Sequence, residues 1–145
     1  MKKIIGIILI LISSLTFSQN NRIKTEFRKV SGVVQGYDIP KDGILVSYVG
    51  LKLAVITDSN GNFCLTVPVN KSVFIETPIC GALTIQEIKP TDNNIIFQVT
   101  SVEEKTKYAI ESEQNWNTIK DKLLPDLIKI YKSSEYRKAD DNICW

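Results

Sequence analysis

Three sets of side chains in this 145-residue chain have types and spacings that bear on chemistry. Asp58, Asn60 and Asn62 place oxygen atoms at alternate positions, as calcium loops do. However, Gly61 falls between these ligands instead of after them, and no bidentate Glu follows at the required distance. Asp58, Asn60 and Gly61 therefore read as a structural turn, a tight hairpin in which Asn60-Gly61 supplies positive φ angles, and no metal site is assigned. Cys64, Cys80 and Cys144 allow three single disulfides and always leave one thiol over. Alternation along Asn62 to Val67 turns Cys64 away from the face of Phe63 and Leu65. Cys80 and Cys144 stand in less regular segments that can meet, so Cys80–Cys144 is the favoured pair, with buried or free thiols as the other reading. The paired carboxylates Glu103-Glu104, Glu111 with Glu113 and Asp140-Asp141 lie among charges of both signs, the pattern of a solvated face.

Histidine is absent. Ser-His-Asp and Cys-His catalysis, zinc hydrolysis by HExxH and C2H2 zinc fingers each need an imidazole and fall away together. A cysteine nucleophile would need activation by Lys, Arg or a helix N-terminus, and no motif singles one out. No catalytic residue and no cofactor is assigned. Tyr37, Tyr48, Trp116, Tyr136 and Trp145 are the better functional clue, offering either a flat binding surface or core.

The elements that must position these residues begin after an export signal. Lys2 and Lys3, the apolar run Ile4 to Ile12, and Ser13 to Ser18 have the three-part layout of a secretory signal peptide spanning residues 1–18, with Thr16 and Ser18 as small residues before the cut. The run is too short to span a bilayer, and no later stretch is long enough for a transmembrane anchor. Removing the signal takes Lys2 and Lys3 and leaves equal numbers of basic and acidic side chains. Without excess positive charge or a basic stripe, nucleic-acid binding has no support. The expected location is exported, periplasmic or secreted, where disulfides persist.

The body reads as seven short β-rich runs: 27–35, 44–49, 53–57, 62–67, 72–77, 82–88 and 95–100. Phe63, Leu65 and Val67 alternate with Asn62, Cys64 and Thr66, the period of a half-buried strand. Turn residues Gly36, Pro40, Gly43, Gly50, Pro68, Pro78, Gly81 and Pro90 fall between the runs. With 43% hydrophobic residues, seven such runs imply one mainly β sandwich.

Ser31-Gly32-Val33-Val34, then Gly43 to Tyr48, then Thr57-Asp58-Ser59-Asn60-Gly61-Asn62-Phe63 and its alternating continuation to Pro68 resemble the carboxypeptidase regulatory-like domain. The resemblance covers roughly residues 28–100. It implies a seven-stranded Greek-key β-sandwich of transthyretin-like type, found in exported proteins of Bacteroidetes-type bacteria, and it implies no catalytic residue. The family's Gly-Tyr pair after the later strand is replaced here by Gly81-Ala82, with Cys80 before it.

From about Val102 the composition turns to Glu, Lys, Ile and Leu. Trp116, Ile119, Leu123, Leu127, Ile130 and Tyr131 recur at helical spacing with Lys120, Lys122, Asp126, Lys129 and Lys132 between them. This predicts a C-terminal α-helical extension over 101–145, kinked at Pro125 or starting a second helix there. Its apolar face either completes the core of the 27–100 sandwich or docks on a partner. The expectation is a non-catalytic binding or accessory module of the cell envelope acting through contact with an envelope protein or glycan. The alternative is a structural component that self-assembles through the helical segment; the oligomeric state is left open.

Overall fold

The alternation in the sequence becomes seven strands in the computed structural model, which describes residues 24–36, 40–79, 82–98 and 107–140. They are β1 (Phe27–Gln35), β2 (Leu45–Tyr48), β3 (Ala54–Ile56), β4 (Asn62–Pro68), β5 (Val73–Ile79), β6 (Ala82–Ile88) and β7 (Asn94–Gln98). Each lies on one of the expected runs; β1 and β6 match theirs, and the others have ends moved by one or two residues. Pro78 was expected between strands but lies within β5. It stands beyond Glu76, the last β5 residue paired with β2 in that direction, so its missing N–H costs that ladder nothing.

The strands form two sheets. One has the order β4-β1-β7, with β1 antiparallel to β4 and parallel to β7; the other is β3-β2-β5-β6, antiparallel throughout. Both bury one face in the same core. Val30, Val34, Leu65, Val67 and Phe97 from the first sheet meet Val46, Tyr48, Val73, Ile75 and Ile88 from the second. The period of two leaves the other face of β4 to Asn62, Cys64 and Thr66.

Two helices follow, α1 (Lys107–Tyr131) and α2 (Ser134–Asp140). The second helix starts at Ser134, not at Pro125, and α1 runs through the proline. Proline removes the N–H that would bond the Asp121 carbonyl. Both Asp121 and Pro125 are exposed, so that carbonyl is on the solvated side while the opposite stripe stays packed. Trp116 lies against Phe74 with ring centroids 5.2 Å apart and joins Val49 and Ile85 on the outer face of the four-stranded sheet. Farther along, Leu127, Tyr131 and, from α2, Tyr136 enter the shared core. Burying each of these large side chains is worth roughly 1.5–3 kcal/mol. The apolar stripe of the helix is therefore core. No helix among the described residues is long and apolar enough to cross a membrane.

The helices also cover strand edges. The Glu87 N–H of β6 donates to Ser112 Oγ at 3.2 Å, and Asn115 Nδ2 donates to Glu87 Oε2 at 2.9 Å. On β4, the Thr66 N–H donates to Tyr48 Oη at 3.1 Å, and the Thr66 carbonyl accepts from Tyr131 Oη at 3.1 Å with Tyr48 Oη 3.2 Å away. Burial pushes both phenols well above the ordinary tyrosine range, so they stay protonated and able to donate. Tyr136, buried beside Asp140, is pushed up to about 12, mainly by desolvation.

Candidate functional site

Register places the outward residues of the three-stranded sheet in rows. Thr66 stands opposite Lys29; Cys64 opposite Ser31, which faces Asn94; Asn62 opposite Val33, which faces Ile96. α2 covers the first row. Thr66 Oγ1 donates to the Asp140 carboxylate at 2.8 Å, Lys29 Nζ donates to the Asp140 carbonyl at 3.2 Å, and Phe27 meets Tyr136 at 5.7 Å between centroids. Thr66 is polar and outward-facing, yet 1% exposed, because of this cover.

Beyond the helix the described residues leave a groove on this face. Ser31, Val33, Asp58, Asn62, Asn94 and Ile96 line a shallow groove of about 680 Å³. Ile96 is 57% exposed on its floor. One wall is the turn that links β3 to β4. There the Asp58 carboxylate accepts from the Asn60 N–H at 2.9 Å, the Asn62 N–H at 2.8 Å and Asn62 Nδ2 at 3.0 Å, while Gly61 takes φ 84°. The Asn62 side-chain amide is the largest of the causes that hold Asp58 below the usual carboxylate range, followed by the backbone N–H groups. The three donors already occupy this carboxylate, and its lowered proton affinity makes it a poor base. The groove combines hydroxyl and amide groups with two apolar side chains, a surface for hydrogen bonding and contact.

The structure brings Asp58, Asn60 and Gly61 together as the expected turn, but not as a hairpin. β3 pairs with β2 and β4 with β1, so the turn carries the chain from one sheet to the other. Among the aromatic residues, Tyr48, Trp116 and Tyr136 are buried; Tyr37 and Trp145 lie outside the described residues. Of the helical stripe, Trp116, Leu127 and Tyr131 are buried, and Ile119, Leu123 and Ile130 pack against the two clusters. Glu111 pairs with Lys107 at 3.7 Å on an exposed face.

Cys80 and Cys144 lie outside the described residues. Cys64 is disulfide-bonded. The favoured pairing of Cys80 with Cys144 falls on residues outside the described ones. Sequence reasoning turned Cys64 off the core face without showing that it is disulfide-bonded. It also passed over Ser31, Asn94 and Ile96. Their outward direction follows from the alternation of Val30, Gly32 and Val34 with Ser31 and Val33, a signal blurred by the apolar pair Val33-Val34.

No family model matches the chain, and no curated protein matches it.

Proposed function

We propose that this protein is a non-catalytic, exported accessory module of the cell envelope. In this reading it is a seven-stranded Greek-key β-sandwich of transthyretin-like, carboxypeptidase regulatory-like type, which meets an envelope protein or glycan through the open outer face of its three-stranded sheet. The observation that carries the reading is the groove lined by Ser31, Val33, Asn62, Asn94 and Ile96 beside a turn made rigid by Asp58. Exposed apolar area rimmed by amides and a hydroxyl on a fixed scaffold suits contact recognition. The layout of residues 1–18 supports export. Self-assembly through the helical stripe is disfavoured, because Trp116, Leu127 and Tyr131 are spent on the chain's own core.

The test is cross-linked capture from the cell envelope, run beside a glycan array, with the chain from Gln19 and two exposed-site variants. Asn94→Lys with Ile96→Lys should abolish the captured partner or glycan signal. Ile56→Lys, on a different sheet, should leave it intact. A signal that survives the groove variant, or is lost only with Ile56→Lys, overturns the reading.

A further inference from the structure

We infer that the cleft between the β2–β3 turn and the end of α1 binds a free fatty acid, with the hydrocarbon chain on the cleft floor and the carboxylate between Lys52 and Lys132. This site is separate from the groove on the three-stranded sheet and does not depend on the contact role proposed for that groove. Packing makes the cleft. The turn abuts α1 at Leu124, where Gly50 takes φ 76° and lies so near the helix that a Cβ would stand 2.9 Å from Leu124 Cδ1. About one helical turn farther on, α1 sends Leu127 and Tyr131 into the core. Between its end and the turn is a cleft of about 460 Å³, within the roughly 300–1,000 Å³ of small-molecule sites.

The floor offers carbon. Leu51 and Leu53 form one wall and pack on the core. Ile128, on the other wall, is half-buried and belongs to neither core cluster, so it keeps apolar surface for an occupant to cover. Tyr131 adds its ring, while its hydroxyl is committed to the Thr66 carbonyl at 3.1 Å. Backbone groups of both walls are spent within the protein as well. The Leu51 N–H donates to the Tyr48 carbonyl at 3.0 Å, the Leu53 carbonyl accepts from the Tyr48 N–H at 2.9 Å, and the Lys132 N–H donates to the Ile128 carbonyl at 3.2 Å. A peptide laid here would leave amides of its own unpaired, which counts against it. A hydrocarbon chain asks for no hydrogen bond.

The mouth sets the sign of the head group. Lys52 and Lys132 stand one on each wall, and among the described residues no carboxylate lines the cleft. Both lysines are exposed, and neither forms an ion pair among the described residues, whereas Lys71 and Lys107 are held by Asp126 and Glu111. A lysine lays its stem along apolar surface and keeps its ammonium in water, so the pair extends the floor and places two cations at its rim. The matching occupant is apolar along its length, polar at one end and negative there. The apolar side chains lie in a recess, which suits a single free chain; a bilayer surface takes up an apolar face that protrudes.

The chain from Gln19, which keeps every described residue, is titrated with dodecanoate below its micelle-forming concentration and followed by its amide NMR signals. Those of Leu53, Ile128 and Lys132 should shift to saturation while those of Ser31 and Asn94 stay fixed. Two more carbons should tighten binding several-fold, since each methylene fully withdrawn from water is worth about fourfold. Lys52→Gln with Lys132→Gln should weaken dodecanoate about fivefold and leave the urea midpoint unchanged. Dodecyltrimethylammonium, with the same chain and a cationic head, should leave the cleft signals in place. Asn94→Lys with Ile96→Lys should bind dodecanoate as the unaltered chain does, so the groove reading can fail without this one. Absent shifts, shifts confined to the groove, equal binding of the two amphiphiles or equal affinity in the lysine variant overturn the inference. Sedimentation with phosphatidylglycerol vesicles that is lost in the lysine variant overturns the free fatty acid as the occupant.

Discussion

The two tyrosines that satisfy the outer edge of β4 have different worth, and the difference follows from which partner each would leave behind. Tyr131→Phe removes one donor from the Thr66 carbonyl, which keeps Tyr48 Oη 3.2 Å away. That is one buried hydrogen bond with its acceptor still served, a cost of about 0.5–1.5 kcal/mol. Tyr48→Phe removes the acceptor for the Thr66 N–H, 3.1 Å from its oxygen, and orphans a buried donor at a cost of about 1–3 kcal/mol. The double variant strips the carbonyl of both hydroxyls, so it should exceed the sum of the singles. Urea unfolding with an unchanged m value gives the three stabilities, and exchange of the Thr66 amide gives the local effect. Exchange should accelerate in Tyr48→Phe and stay near the unaltered rate in Tyr131→Phe. The argument is refuted if Tyr131→Phe is the costlier change or if the Thr66 amide exchanges equally in both. The same phenols set a sign on the alkaline limb. Their folded proton affinity is raised, so above about pH 10 the unfolded chain loses protons first and stability falls with rising pH.

Gly32→Ala should destabilise by about 1–3 kcal/mol in urea unfolding, because a Cβ there meets Phe63 Cζ at 2.3 Å and Ile95 Cγ1 at 2.8 Å, both in the core. Thr77 and Thr84 face each other across β5 and β6, buried, with hydroxyls that have no partner among the described residues. Replacing both by Val should leave the chain equally or more stable, and a loss above about 1 kcal/mol would contradict that. Burial raises the Glu76 carboxyl above its usual value, so the folded state is penalised once pH exceeds the unfolded value. Glu76→Gln should raise the urea midpoint at pH 7, and the gain should vanish below about pH 4, where the carboxyl is protonated in both states.

Local chemistry made the strands legible and left their neighbours unread. Phe63, Leu65 and Val67 announce β4 by alternation, and Asp58 to Asn62 announce a turn, because both depend on residues within reach of one another. Whether the strands on either side of that turn pair is a long-range matter. β3 finds β2 and β4 finds β1, and the same Asp58 turn serves a crossover as well as it would a hairpin. Pro125 shows tertiary packing overriding propensity: its ring lies on the exposed side, and the Trp116 to Tyr131 stripe holds α1 in place across it. Thr66 and Cys64 show the limit of periodicity, which gives the direction of a side chain but not what meets it. One is sealed by α2 and the other by a disulfide.

On the proposed contact role, the helices narrow where a partner would meet this protein. α1 covers the outer face of the four-stranded sheet at Phe74 and satisfies the β6 edge at Glu87, while Tyr48 and Tyr131 satisfy the β4 edge and α2 seals the Thr66–Lys29 row. Among the described residues two strand edges are left, β3 and β7. β3 has three residues, and a short edge is a poor template for pairing. β7 has five and presents Asn94 and Ile96 to the groove. On the proposed role, a partner on that face would meet side chains together with a β7 edge that no described strand pairs, Asn94 and Ile96 belonging to both. Since Leu127, Tyr131 and Tyr136 are core, removing the helical segment would expose apolar surface in the same step that uncovers Thr66. Loss of binding on truncation would then report unfolding, whereas loss on changing Asn94 and Ile96 would report contact.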